Sequence, residues 1–205
     1  MEKKSPLIVF TQYSPYLVVD MDYIVNSKGE KIKLSPVSSL CRCGESKIKP
    51  FCDGTHAQIG FSGAKAADCL PSKLKDYKGK EITVHFNLGI CSHKGECYKN
   101  LPEVFDFDRK PWIIADNASV EKIIETIKKC PSGALSYTLG ITRHKDWGQE
   151  EEIIAGHNGP FEFKGNIILK DDQNSYEQLE SREHYCLCRC GAAKNKPFCD
   201  GAHQD

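Results

Sequence analysis

One arrangement of ligand-type residues occurs twice and limits what this chain can fold into. Cys41-Arg42-Cys43-Gly44 is followed by Lys49-Pro50-Phe51-Cys52-Asp53-Gly54-Thr55-His56. Cys188-Arg189-Cys190-Gly191 is followed by Lys196-Pro197-Phe198-Cys199-Asp200-Gly201-Ala202-His203. Both read C-R-C-G-x(4)-K-P-F-C-D-G-[TA]-H, at an offset of 147 residues. A repeat of this kind means that one structural unit is built twice. Three thiols and one imidazole so close in sequence can hold zinc or an iron–sulfur cluster. Buried thiols and a core histidine would explain one lone cysteine, but they do not explain two identical quartets. Zinc competes on ligand chemistry alone, although paired C-x(2–4)-C knuckles are its commoner signature.

The repeat extends upstream. Ile8-Val9 and then Ser14-Pro15-Tyr16 match Ile153-Ile154 and then Gly159-Pro160-Phe161, at an offset of 145. Leu17-Val18-Val19, Tyr23-Ile24-Val25 and Ile167-Ile168-Leu169 are β-branched and aromatic runs bounded by turn residues such as Asn26-Ser27-Lys28-Gly29. They predict short strands, with the cysteine loop near the end of each unit. Between the units, residues 67–145 have no counterpart in either. Ile82-Thr83-Val84-His85-Phe86 predicts a strand there. Val120, Ile123, Ile124 and Ile127 predict a helix with one buried face, with Glu121 in its first turn, ending at Cys130 because Pro131 follows. Ala134 to Thr138 predicts a returning strand.

Composition narrows the function classes. Lys plus Arg and Asp plus Glu both number 28, so there is no basic excess for a phosphate backbone. Apolar runs stop after about four residues, whereas a membrane span needs about twenty. Met1-Glu2-Lys3-Lys4 lacks the apolar core of a secretory leader. The expectation is a cytoplasmic protein. In that reducing setting eleven cysteines, an odd number, point to metal or redox chemistry instead of disulfides. No nucleophile–base arrangement, phosphate loop or nucleotide fingerprint is present, so neither an enzyme nor a nucleic-acid binder is expected.

At the repeated loops the chain resembles the CDGSH (mitoNEET-like) iron–sulfur family. The resemblance implies one 2Fe–2S cluster on Cys41, Cys43, Cys52 and His56, and a second on Cys188, Cys190, Cys199 and His203. An oxidised 2+ core with three thiolates carries a formal charge of about −1, which Arg42, Arg189, Lys49 and Lys196 could offset unless they belong to a solvated basic loop. Asp53 and Asp200 read as caps of the turn after the cysteine. Ala193 replaces Ser46 in the second copy, where a hydrogen bond near the cluster would be lost.

The middle segment holds Cys91-x(5)-Cys97 and, later, Cys130-Pro131. The run from Cys91 to Phe105 and the close Cys130-Pro131-Ser132-Gly133-Ala134-Leu135 resemble the divergent single-cluster ferredoxin domain. Of the ferredoxin run C-x(2)-C-x(2)-C, the outer cysteines are kept and Lys94 stands in the middle. The resemblance implies a 3Fe–4S or 4Fe–4S cluster. Three cysteines favour 3Fe–4S, and His93, otherwise a surface histidine, is the candidate fourth ligand for 4Fe–4S. Cys186 is expected as a buried structural thiol, and Cys69 has no evident role. His85, His144, His157 and His184 are expected to be ordinary, and Trp112, Phe105 and Phe107 to fill the core.

The fold class expected is α+β. Paired CDGSH units share strands across a two-fold axis, so residues 1–66 and 146–205 are expected to form an internal pseudo-two-fold pair around an inserted ferredoxin-like α+β domain at 67–145. The function expected is electron transfer with an unidentified redox partner. The alternative is cluster transfer to an apo iron–sulfur acceptor, or redox and pH sensing. A zinc-stabilised interaction module is a third reading.

Overall fold

A computed structural model describes residues 5–172 and 180–204; the Met1–Lys4 start, on which the reading of a leader rests, lies outside them. The β-branched runs of the first terminal segment form β1 (Leu7–Phe10), β2 (Tyr16–Val19), β3 (Tyr23–Asn26), β4 (Lys31–Lys33) and β5 (Val37–Leu40), and a helical turn α1 (Thr55–Gln58) follows the cysteine loop. The middle segment forms β6 (Leu74–Lys78), β7 (Ile82–Asn87), α2 (Glu96–Asn100), α3 (Val120–Lys128), β8 (Leu135–Leu139) and β9 (Thr142–His144). The last segment forms β10 (Glu152–Ala155), β11 (Phe161–Lys164), β12 (Ile168–Asp171) and β13 (His184–Leu187). The result is α+β, rich in small sheets.

Neither terminal segment completes a sheet alone. One sheet runs β12-β1-β2-β5 and another β13-β11-β10-β3-β4, so each takes one strand or hairpin from the opposite end of the chain. β1 pairs parallel to β12 with Val9 opposite Lys170, and β10 pairs parallel to β3 with Ile154 opposite Val25. Val9 and Ile154 are counterparts in the repeat, and so are Val25 and Lys170, so the two exchanges share one register. A unit of this size buries too little apolar surface by itself, and exchange merges the two small faces into one core. Ile8, Ile24, Leu40, Ile153, Phe161, Phe163 and Leu187 have no exposed surface. The Tyr16 and Phe161 rings meet edge to face at 6.4 Å.

The middle segment is an antiparallel sheet in the order β6-β7-β8-β9, with α3 packed on β8. Ile123 and Ile127 of the helical stripe are fully buried. α3 ends at Lys128, two residues short of the expected Cys130, although the Cys130 amide still donates to Ile127 at 3.0 Å. Among the described residues no helix is long and apolar enough to cross a membrane.

Candidate metal centres

Each repeated loop is clamped to the strand that leads into it. The Cys41 amide donates to the Pro50 carbonyl at 2.8 Å and the Cys52 amide to the Ser39 carbonyl at 2.8 Å. The Cys188 amide does the same to Pro197 at 2.8 Å, and Cys199 to Cys186 at 3.0 Å. The clamp sets the Cys41 and Cys43 sulfurs 3.8 Å apart, and those of Cys188 and Cys190 also 3.8 Å apart. Past the third cysteine, Gly54 at φ 87° and Gly201 at φ 88° turn the chain back with a dihedral that favours glycine. The returning histidines bring Nδ1 to 3.2 Å (His56 on Cys52) and 3.4 Å (His203 on Cys199) from the sulfur.

The aspartates act on the backbone. Asp53 accepts from the amides of Lys47 at 2.8 Å and Thr55 at 3.0 Å, and Asp200 from Lys194 at 2.7 Å and Ala202 at 3.2 Å. The Lys47 amide, then Thr55, hold the Asp53 carboxyl well below the usual range. Ser46 likewise serves its own loop: its hydroxyl donates to Phe51 at 2.6 Å and accepts from Ile48 at 3.2 Å. What the second copy lacks at Ala193 is therefore a hydrogen bond within the loop; there Lys196 Nζ donates to the Ala193 carbonyl at 2.6 Å.

Arg42 is no part of a solvated loop. It is buried, donates to the carbonyls of Thr11 at 2.6 Å and Gly63 at 3.2 Å, and lies over the Phe10 and Tyr16 rings. Arg189 donates to the Gly156 carbonyl and lies over Phe161. Lys49, from the first loop, lines a cavity of about 330 Å³ with Cys190, His203 and Arg189, so it faces the second site.

The donor geometry fits a cluster held by two pairs of ligands. Two thiolates on one tetrahedral metal with bonds of ~2.3 Å lie ~3.8 Å apart, as Cys41/Cys43 and Cys188/Cys190 do. Among the described residues no three His, Cys, Asp or Glu side chains are placed to hold a single ion. Each loop thus offers one thiol–imidazole pair and one thiol pair. Within the second pair, the shared hydrogen bond drives Cys190 down to about 6 and Cys188 up.

The two loops touch. A Cβ on Gly44 would lie 2.3 Å from the Cys190 carbonyl oxygen, and one on Gly191 would lie 2.4 Å from that of Cys43. Only glycine permits this approach, and it is reciprocal.

In the middle segment Cys91 follows a 3-10 turn (Leu88–Ile90) capped by the Asn87 side chain, Cys97 lies in α2 and Cys130 follows α3. All three line one cavity of about 260 Å³, together with His93, Lys94, Tyr98, Phe107 and Trp112. Burial pushes the Cys91 thiol up to about 12 and Cys97 up to about 11, and neighbouring Cys130 adds to both. Three converging, partly buried thiols fit a metal cluster, whose binding displaces the thiol protons. His93 lines the same cavity while its ring also rests on Gly201 of the second loop. Lys94 turns its ammonium away, to both carboxylate oxygens of Glu162 at 2.8 and 2.9 Å.

Other expectations sort by burial. Cys186 is a buried thiol in β13, and Cys69 closes a turn through its amide to Ala66. His85 is held between Asp76 and Thr138, each at 2.7 Å. Phe105 is in the core, but Phe107 is 58% exposed and stacks on Trp112 at 4.9 Å, so it belongs to the cavity rim and not to the core. Sequence reasoning passed over Glu162 and Asn195. Their signal is that the second repeat carries them where the first has Leu17 and Ile48.

Comparison with known proteins finds two families along the chain. The family described as "Iron-binding zinc finger CDGSH type" matches residues 13–57 and 158–204, and "Divergent 4Fe-4S mono-cluster" matches residues 77–140. "Uncharacterized protein YjdI" of Escherichia coli (strain K12) is 44% identical over 76 residues, which cover 37% of this chain and 93% of that protein. The protein of the same description from Escherichia coli O157:H7 matches to the same extent. No solved structure matches.

Proposed function

This chain belongs to the iron-binding CDGSH family, with a divergent 4Fe-4S mono-cluster segment between its two CDGSH segments, and from that premise we propose that it is an electron carrier and not an enzyme. The proposal assigns one 2Fe–2S cluster to Cys41, Cys43, Cys52 and His56, and one to Cys188, Cys190, Cys199 and His203. Cys91, Cys97 and Cys130 take a third cluster. Three thiolates suit 3Fe–4S; a 4Fe–4S cluster would add His93, which lines the same cavity. The units 1–66 and 146–205 are read as a pseudo-two-fold pair around 67–145, supported by the common register of the two strand exchanges.

Such clusters, when bound, supply one-electron redox chemistry. The chain's own residues supply the rest. Backbone clamps fix the sulfur pairs, Asp53 and Asp200 fix the turns that carry the histidines, and Gly44 and Gly191 let the loops meet. The observation that carries the electron-transfer reading is this contact between the two loops, because it places two donor sets in one continuous body of protein. Eleven free cysteines suit a reducing, cytoplasmic setting and a soluble redox partner. One observation favours delivery to an apo acceptor, or pH sensing, as the second reading: Cys52 and His56 are only half-buried, so one ligand edge is open to protons.

Anaerobic purification followed by iron and acid-labile sulfide analysis tests the proposal. Expected are about seven irons per chain, or about eight with a four-iron middle cluster, and stepwise reversible reduction without iron loss. Stoichiometric zinc without sulfide would overturn it. Loss of iron and sulfide to an apo acceptor would favour the second reading.

A further inference from the structure

The terminal segments are copies, yet among the described residues the contacts of the middle domain collect on the second of them. Lys94 pairs with Glu162 of β11, and the Asn195 side-chain amide donates to the Gly89 carbonyl. A Cβ on Gly201 would lie 2.8 Å from the His93 ring, and one on Gly133 would lie 2.9 Å from the His184 carbonyl oxygen. Ser92 lies beside the buried Cys186 thiol.

The first repeat carries Leu17, Ile48, Gly54, Val37 and Ser39 at the counterparts of Glu162, Asn195, Gly201, His184 and Cys186. None of these five is buried. Ile48 is 56% exposed against 4% for Asn195, and a Cβ on Gly54 would meet nothing within 4 Å. Among the ligand-type residues, Cys199 is buried where Cys52 is half-exposed, whereas Cys190 is half-exposed where Cys43 is buried.

The departures of the second repeat thus collect at one junction. A carboxylate on a strand, buried to 6% exposure where its counterpart is a leucine, costs stability unless it is paired. Its partner is the lysine of the loop between Cys91 and Cys97. Conversely, that lysine stands where the ferredoxin run has a ligand, and it reaches across the junction instead of into its own cavity.

We infer that the three sites form a row in the order first CDGSH, second CDGSH, middle, in which the second CDGSH site and the middle site are a coupled pair, with Lys94 and Glu162 as the positioning residues that hold them together. The inference rests on the iron–sulfur reading above.

The test uses iron-loaded protein already shown to hold labile sulfide, so that failure of the iron–sulfur reading is seen separately. The protein is reduced in steps and its paramagnetic resonance signals are recorded; His56→Cys and His203→Cys identify the first-site and second-site signals. The expected result is that the second-site signal relaxes faster than the first, and that Cys97→Ser, which removes a middle-site ligand, abolishes the difference. Glu162→Leu, which installs the residue of the first repeat, should alter the second-site and middle signals and leave the first unmoved. Lys94→Met should do the same at unchanged iron content, and Lys94→Arg should restore the original signals. Equal responses of both CDGSH signals, or a second-site signal indifferent to Cys97→Ser, would overturn the inference.

Discussion

Mild acid should destabilise the fold through one histidine that ligates nothing. His184 lies in β13 at 2% exposure, with Nδ1 2.8 Å from the Ser181 hydroxyl and its ring 4.4 Å from that of Trp147. Among the described residues its buried Nε2 has no hydrogen-bond partner. Burial drives its pKa down to about 4, with Asp146 and Glu183 offsetting part of that effect. The unfolded chain binds this proton near pH 6.5, whereas the folded chain refuses it until about pH 4. Stability is therefore full above pH 6.5, falls as pH drops through the window from 6.5 to 4, and is constant in this respect below that. At ~1.4 kcal/mol per pH unit the whole loss is ~3 kcal/mol, of which ~2 kcal/mol has gone by pH 5.

His184→Phe keeps a ring against Trp147 and removes the titration. At pH 7 it forfeits the Ser181 hydrogen bond, about 1 kcal/mol, partly offset by removal of the unpartnered Nε2. Between pH 7 and pH 5 the variant should lose ~2 kcal/mol less than the parent. Anaerobic urea unfolding of the iron-loaded proteins at pH 7, 6 and 5 measures this. Every other titrating group is common to both proteins, so the difference isolates His184. Parallel pH profiles would refute the reasoning.

Two further outcomes follow from packing. Gly44→Ala must push the opposing Cys190 carbonyl away as well as adopt a left-handed dihedral, a cost of ~2–4 kcal/mol, whereas Gly29→Ala at φ 79° meets nothing and should cost only ~1 kcal/mol. Thermal midpoints decide this, and equal shifts would deny that the loops touch. Arg42→Met leaves the Thr11 and Gly63 carbonyls without their donor and should cost ~2–4 kcal/mol, against ~0.5 kcal/mol or less for Met at exposed Arg182; similar denaturation midpoints for the two variants would show that Arg42 is solvated after all.

The ligand loops were legible because their geometry is local. Paired cysteines stand two positions apart and cysteine and histidine four, and backbone clamps within one loop finish the arrangement. α3 was legible because its apolar stripe is also its buried stripe. β6 and β9 were not. Leu74-Lys75-Asp76-Tyr77-Lys78 carries too little apolar alternation and is a strand through its register with β7, where Asp76 faces His85. Phe107 was misplaced because an aromatic residue can line a cavity mouth as well as a core. In Phe161-Glu162-Phe163-Lys164 the alternation turns Glu162 away from the sheet core. Periodicity gives the face, however, and not what covers that face.

What covers it is decided by where the insertion is tied down. As the chain leaves the first repeat, the Ala66 amide donates to the Lys194 carbonyl at 2.8 Å, and Asp68 pairs with Lys194 Nζ at 2.6 Å. As it returns, Asp146 accepts from the Ser181 hydroxyl at 2.6 Å, and Glu183 accepts from the amides of Trp147 at 2.8 Å and Gly148 at 2.6 Å. Both tethers fasten to the second repeat, one on its cysteine loop and one just ahead of β13. A domain held at both ends to the same repeat can close only on that repeat's outer face. Two copies of one loop therefore acquire different surroundings: Glu162, Cys186 and Asn195 become interior residues, while Leu17, Ser39 and Ile48 keep access to solvent. The difference between the two cysteine loops thus comes from the covalent path of the chain around them, since their ligand-type residues are the same.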